Sequence, residues 1–194
     1  HVDSIKSPNS VFSIDFWFYT QTSRNQMKAG NGKINNFDSF EIQWDYHIRI
    51  KVENIKSIAD YSNNQHTYFA HCTPVISELY PENDPVTETI NLSEVYGGTL
   101  DDKWTYITCG VDMENLKFFF TSKSKGITDR SFTTANVIPL GTVSLKIKET
   151  SRNSYGVTLI RQMRLWNCYN CGLANQHFDY VPGDFSFKNV LHCY

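Results

Sequence analysis

The sequence predicts an all-β protein, an antiparallel two-sheet β-sandwich of jelly-roll type, and three observations carry that prediction. Short runs of Phe, Tyr, Trp, Thr, Val and Ile recur along the chain, drawing on 13 Phe, 11 Tyr and 4 Trp. Polar stretches bearing Gly, Pro, Asn and Asp separate the runs. No amphipathic helix longer than about three turns interrupts them, so the strand–helix alternation that builds parallel sheets is missing. At 194 residues the chain suffices for one sizeable domain, and about nine short strands suit a jelly roll.

The clearest strand is SVFSIDFWFYT, where Phe12, Ile14, Phe16 and Phe18 share one face and Ser13, Asp15, Trp17 and Tyr19 the other. A polar stretch from Gln21 to Asn36 reads as a loop. FEIQWDYHIRIKV then offers two strands, Phe40 to Trp44 and Tyr46 to Val52, with a turn or bulge near Asp45. HTYFAHC gives another strand and PVTETINL a weaker one, with a three-proline surface connection between them. KWTYITCGV and LKFFFTS, joined by Asp112-Met113-Glu114-Asn115, form an antiparallel hairpin. A Lys- and Ser-rich loop leads to GTVSLKIKE and YGVTLIRQMRLW. No single alternation puts Leu159, Ile160, Met163, Leu165 and Trp166 on one face, so a bulge is expected near Arg161 and Gln162. FSFKNVLHCY is the last short run.

Charge and targeting signals narrow the function. Lys and Arg number 18 against 20 Asp and Glu, with no basic block interleaved with aromatics, which argues against nucleic acid as a partner. No run approaches the roughly 18 consecutive apolar residues of a membrane span, so no direct membrane insertion is expected. The first residue is not Met and no signal pattern opens the chain, which reads as a processed or excised part of a larger multidomain protein. The 5 cysteines, Cys72, Cys109, Cys168, Cys171 and Cys193, are an odd number and cannot all pair internally. The sequon Asn91-Leu92-Ser93 is compatible with secretion, and extracellular or cell-surface exposure is the expectation.

The hairpin pattern Trp104, Ile107, Cys109, Val111, Asp112, then Leu116 to Phe120, resembles the central hairpin of laminin-G-like and pentraxin-like domains. These belong to the concanavalin A-like lectin/glucanase superfamily. The segment Ile160, Met163, Arg164, Leu165, Trp166, Asn167 looks like the penultimate strand of that family, and FSIDFWFY is similar to its first long core strand. The order is preserved across residues 12 to 167. Two departures stand out: TSKSKG follows Phe120 in place of a small Asn-Gly or Asp-Gly turn, and cysteines follow Trp166. The expected organisation is a sandwich over residues 1–167, with a cysteine-containing segment, 168–194, that completes it or opens a cysteine-rich module.

The superfamily implied by the resemblance includes glucanases, but the Glu-x-Asp-x-x-Glu run that sets two carboxyls about 5 Å apart is absent. Glu41 and Asp45 are four apart, and Asp112 with Glu114 belongs to a turn. Calcium is the ion the resemblance implies, with Asp101, Asp102 and Asp112 as its nearest acids. A glycan would need an exposed aromatic platform, for which Trp17, Trp44, Tyr61 and Tyr155 are candidates, although sandwich aromatics are more often core. Cys168, Cys171, His177 and either Cys193 or His192 make a chemically sensible zinc set. A disulfide framework fits better, with Cys193 pairing Cys168 or Cys171 and Cys72 with Cys109 as a second bridge, unless Cys109 is a small core hydrophobe. The expected function is non-enzymatic recognition or adhesion at the cell surface, with a protein or glycan ligand. A glycan-processing enzyme and a purely structural interaction module are the alternatives.

Overall fold

The computed structural model of the chain describes residues 2–5, 11–21, 39–44, 48–55, 67–74, 86–97, 100, 103–132, 143–150, 157–175 and 190–193. Twelve strands lie among them. The first six are β1 (Val2–Ile5), β2 (Val11–Gln21), β3 (Ser39–Trp44), β4 (Ile48–Ile55), β5 (Thr67–Pro74) and β6 (Glu88–Asn91), followed by one helical turn, α1 (Leu92–Val95). Then come β7 (Trp104–Asp112), β8 (Lys117–Ser122), β9 (Lys125–Ser131), β10 (Val143–Thr150) and β11 (Val157–Trp166). A 3-10 turn, Cys171–Asn175, precedes β12 (Val190–Cys193). The strands form two 6-stranded sheets, ordered β1-β10-β3-β4-β5-β6 and β12-β11-β2-β7-β8-β9. Every neighbouring pair is antiparallel. The chain is an antiparallel β-sandwich, as its sequence predicts.

The period-2 alternation decides what fills the space between the sheets. From the second sheet Phe12, Ile14, Phe16, Phe18, Ile107, Val111, Phe118 and Phe120 point inward, each 0% exposed. Phe40, Ile42, Trp44, Ile48, Ile50 and Val52 meet them from the first sheet. The rings interlock edge to face, with Phe12 on Trp44 at 4.9 Å and Phe18 on Phe40 at 5.2 Å. At the sandwich edge an ion pair joins Arg130 of β9 to Glu88 of β6, crossing between sheets.

Two irregularities shape the outer face of the second sheet. Gln162 has φ 51° and the β11–β2 register shifts between Arg161 and Arg164, the bulge expected from the broken alternation. The shift keeps Leu159, Arg161, Arg164 and Trp166 on the outer face while Ile160 and Leu165 point inward. Residues 123 to 131 depart from the expected loop: Lys123 and Ser124 both adopt positive φ and form a two-residue turn that starts β9. Its exposed Lys, Asp and Arg residues suit an edge strand.

Candidate functional site

The outer face of the second sheet divides into a covered end and an open end. At the covered end Ser13 and Asp15, which alternation alone would leave in water, are 0% exposed. Residues 167 to 175 lie over them, held in a tight loop by a Cys168–Cys171 disulfide. The cover approaches closely because two glycines allow it. A Cβ on Gly172 would collide with Thr108 Oγ1, and one on Gly110 with the Tyr169 carbonyl oxygen. Tyr169 stands edge-on to Phe119 at 5.1 Å and donates its hydroxyl to Asp129 Oδ1 at 2.5 Å.

Beneath the cover Asp15 collects four donors. Arg164 reaches it from Nε at 3.0 Å and from Nη2, Trp166 Nε1 at 2.9 Å, and the Tyr106 hydroxyl at 2.5 Å. That hydroxyl also lies 2.6 Å from the Gly172 carbonyl oxygen, which ties the cover to the sheet. Burial pushes the Asp15 carboxyl above the ordinary carboxylate range, against the opposing charge of Arg164. Burial and the neighbouring Asp15 charge raise the Tyr106 phenol strongly. With Arg164 at 2% exposure and Asp15 at 0%, the cluster is sealed and anchors structure instead of meeting a ligand.

The open end lies along the same face. The register aligns Leu159, Tyr19 and Trp104 in one row across β11, β2 and β7, and Arg161, Trp17 and Tyr106 in the next. Tyr19 packs on Trp104 at 5.4 Å and Trp17 on Tyr106 at 5.0 Å. Tyr19 and Trp104 are half-buried, Arg161 is exposed, and Leu159 is 38% exposed, the one exposed large hydrophobe among the described residues. Three strands spaced about 4.8 Å apart make this row roughly 10 Å across. The result is an apolar and aromatic stripe with a cation at its flank.

A second surface lies on the outer face of the first sheet. Glu41, Arg49, Lys51, Glu53, His71, Thr73 and Thr87 line an open polar depression of about 380 Å³. Glu53 takes Lys51 Nζ at 2.5 Å and His71 Nε2 at 2.8 Å, while His71 Nδ1 meets Thr89 Oγ1 at 2.8 Å. Partial burial raises the Glu53 carboxyl, but the hydrogen bonds and charges of Lys51 and His71 outweigh it and hold the group below the ordinary range. That is the wrong direction for a general acid.

The residues singled out in the sequence scatter. Trp17 is 6% exposed and lies in the row beside the stripe, packed on Tyr106, so it offers no open platform. Trp44 is corrected: it points inward from β3, is 0% exposed and belongs to the core, so it offers no platform. Tyr61, Tyr155, Asp101 and Asp102 lie outside the described residues. Asp112 turns the β7–β8 hairpin: Oδ1 accepts the amides of Glu114 and Asn115 at 3.0 and 2.9 Å, and Oδ2 accepts Asn115 Nδ2 at 2.8 Å. With its oxygens facing N–H donors it is poorly disposed toward calcium, and no group of three His, Cys, Asp or Glu among the described residues is placed to hold a metal ion.

Cys168 and Cys171 bond to each other, which corrects the expected pairing of either with Cys193 and removes the zinc thiolates. Cys193 instead lies on β12, in register with Arg164. Cys72 and Cys109 are buried thiols. Asn91 caps α1, accepting the Glu94 amide at 3.2 Å. Sequence reasoning missed Tyr19, Trp104 and Leu159 as a group. The signal was available in the outward alternation of SVFSIDFWFYT, had it been combined with the register to β7 and β11.

No protein-family model matches the chain, and no curated protein matches it. Solved structures do. A crystal structure of a tryptophan-to-alanine mutant of HCR/D aligns with TM-score 0.51 at 9% identity, over 89% of this chain and 40% of that one. A botulinum neurotoxin serotype D binding domain aligns at TM-score 0.47 and 10% identity, over 85% and 34%. A structure described by the dependence of botulinum neurotoxin type C cell entry on two ganglioside molecules aligns at 0.46 and 16%, over 89% and 35%. The first likeness supports the β-sandwich fold; the chain spans 40% of that structure's length. The laminin-G-like and pentraxin-like resemblance therefore holds at the level of the sandwich alone.

Proposed function

We propose that this chain is a non-enzymatic glycan-recognition module of a longer extracellular or cell-surface protein. The observation that carries the reading is the outer row Leu159, Tyr19 and Trp104, flanked by exposed Arg161. Sugar rings present apolar C–H faces rimmed by hydroxyls. An aromatic stripe on a rigid sheet, with a polar neighbour, matches that chemistry without deep enclosure. The cover at the adjoining end of the face packs on the same strands, through Gly172 against Asp15 and Thr108.

Non-enzymatic recognition is favoured over glycan hydrolysis because the sealed Asp15 has no access to solvent and Lys51 and His71 hold the Glu53 carboxyl below the ordinary range. Neither supplies the raised, accessible acid that hydrolysis requires. The testing experiment is a screen of neutral and acidic oligosaccharides against the purified chain, followed by titration and a reducing-sugar assay of each binder. Saturable binding without sugar release supports the proposal. Absence of saturable binding to any glycan sinks it, and sugar release lost on a single carboxylate substitution would replace it by the enzyme reading.

A further inference from the structure

Two thiols face each other across the middle of the sandwich. Cys72 is on β5 of the first sheet, in register with Ile50 and Glu88, and Cys109 is on β7 of the second, in register with Ile14 and Phe120. Both point inward and both are 0% exposed. Both belong to the one buried cluster between the sheets, and Cys72 lies near enough to Cys109 to help raise its thiol, while both remain in the thiol form.

We propose that Cys72 and Cys109 are the site of an inter-sheet disulfide that forms while the chain folds under oxidising conditions and is then sealed in the core. The segment from 72 to 109 contains β6, α1 and the crossing from the first sheet to the second, so the bond would link the two layers covalently. Closing a loop of roughly 40 residues lies in the range where a bridge removes substantial freedom from the unfolded chain.

The chemistry balances with a small disulfide such as oxidised glutathione as the oxidant. The thiolate of one cysteine attacks it, forming a mixed disulfide and releasing one glutathione thiolate. The thiolate of the second cysteine then attacks the protein-side sulfur and expels the other. Two thiol protons leave, two electrons pass to the oxidant, and one S–S bond replaces another. Timing follows from burial. In the folded chain no oxidant reaches either sulfur, and burial pushes the Cys109 thiol far above its ordinary range, suppressing the thiolate. Exchange therefore belongs to the open chain, before the sheets meet. The inference is independent of the glycan reading and would stand if that reading failed.

The test refolds the reduced, denatured 194-residue chain in two buffers, one with reduced and oxidised glutathione and one with excess reductant. Remaining thiols are alkylated in denaturant and peptides are assigned by mass spectrometry. The expected result is a Cys72–Cys109 linked peptide pair from the oxidised sample only, with a melting midpoint about 5 °C or more above the reduced sample. That increment persists in the C168S/C171S variant and disappears in C72A. Recovery of both cysteines alkylated after oxidative refolding, in a sample where Cys168–Cys171 is bridged, overturns the proposal. So does finding either one bridged to a different cysteine. The peptide assignment is made on the unsubstituted chain, so it stands even where a variant fails to fold.

Discussion

Replacing Asp15 by Asn is the sharpest probe of how the cover is held. The substitution preserves shape but leaves the Arg164 guanidinium, 2% exposed, without the counter-charge that it meets through Nε and Nη2. Removing one partner of a buried pair costs roughly 3–5 kcal/mol, because the remaining charge stays desolvated. Against a total of about 5–15 kcal/mol that is a large fraction of the stability. With a urea dependence near 2 kcal/mol per molar, D15N should lower the unfolding midpoint by about 2 M. The double variant D15N/R164M removes the stranded charge and leaves an amide oxygen for Trp166 Nε1, so it should recover more than half of the loss. Equilibrium urea unfolding followed by tryptophan fluorescence reads both. A D15N loss below about 1 kcal/mol would refute the reasoning, since water would then be reaching Arg164 and the segment from 167 to 175 would not be a seal.

Three further outcomes follow from the same contacts. G172A should cost about 1–3 kcal/mol in the same unfolding assay, since its Cβ lands on Thr108 Oγ1 and meets Asp15 Cβ at 3.2 Å, and both are buried. D112A should cost about 1–2 kcal/mol by stranding the Glu114 and Asn115 amides. Partial burial raises the Asp112 carboxyl, but its hydrogen bonds outweigh that and leave it below the ordinary value of 3.8. Its stabilising share is therefore present above that value and lost as pH falls through the depressed one, so the gap between wild type and D112A should narrow in that acid window. W44A should cost about 3–5 kcal/mol through the core cavity it leaves, whereas W104A, on the half-buried face, should cost less than half as much by thermal melting.

Much of the sandwich was legible from the period-2 pattern because core strands carry uninterrupted apolar faces. SVFSIDFWFYT displays Phe12, Ile14, Phe16 and Phe18 with no break, and these are the residues that fill the interior. The bulge at Gln162 was readable as a failure of the same pattern. What escaped lacks such a face. β9 is an exposed edge strand with only Ile127 packed against the core, and its turn uses Lys123 and Ser124 where an Asn-Gly pair would have announced a hairpin. Burial of Asp15 was hidden because alternation assigns it to water, whereas Arg164, Trp166 and Tyr106 close around it and the chain returns over it at Gly172. The stripe escaped for a related reason: it is assembled by register from three strands distant in sequence, and no single segment contains it. Trp44 was misplaced as a platform because a lone Trp on a strand reads the same whether it faces core or solvent.

The central claim is that the Leu159, Tyr19 and Trp104 row, and not the polar depression on the opposite sheet, is where the glycan docks. Calorimetric titration of one saccharide identified in the screen, run against wild type, W104A and R49A, tests it most directly. Loss of one stacking aromatic is worth about 1.4 kcal/mol, a tenfold change in Kd. The account predicts that W104A binds at least tenfold more weakly while R49A binds as wild type does. Full affinity in folded W104A together with its loss in R49A would contradict the account and move the site to the face of Arg49, Lys51 and His71.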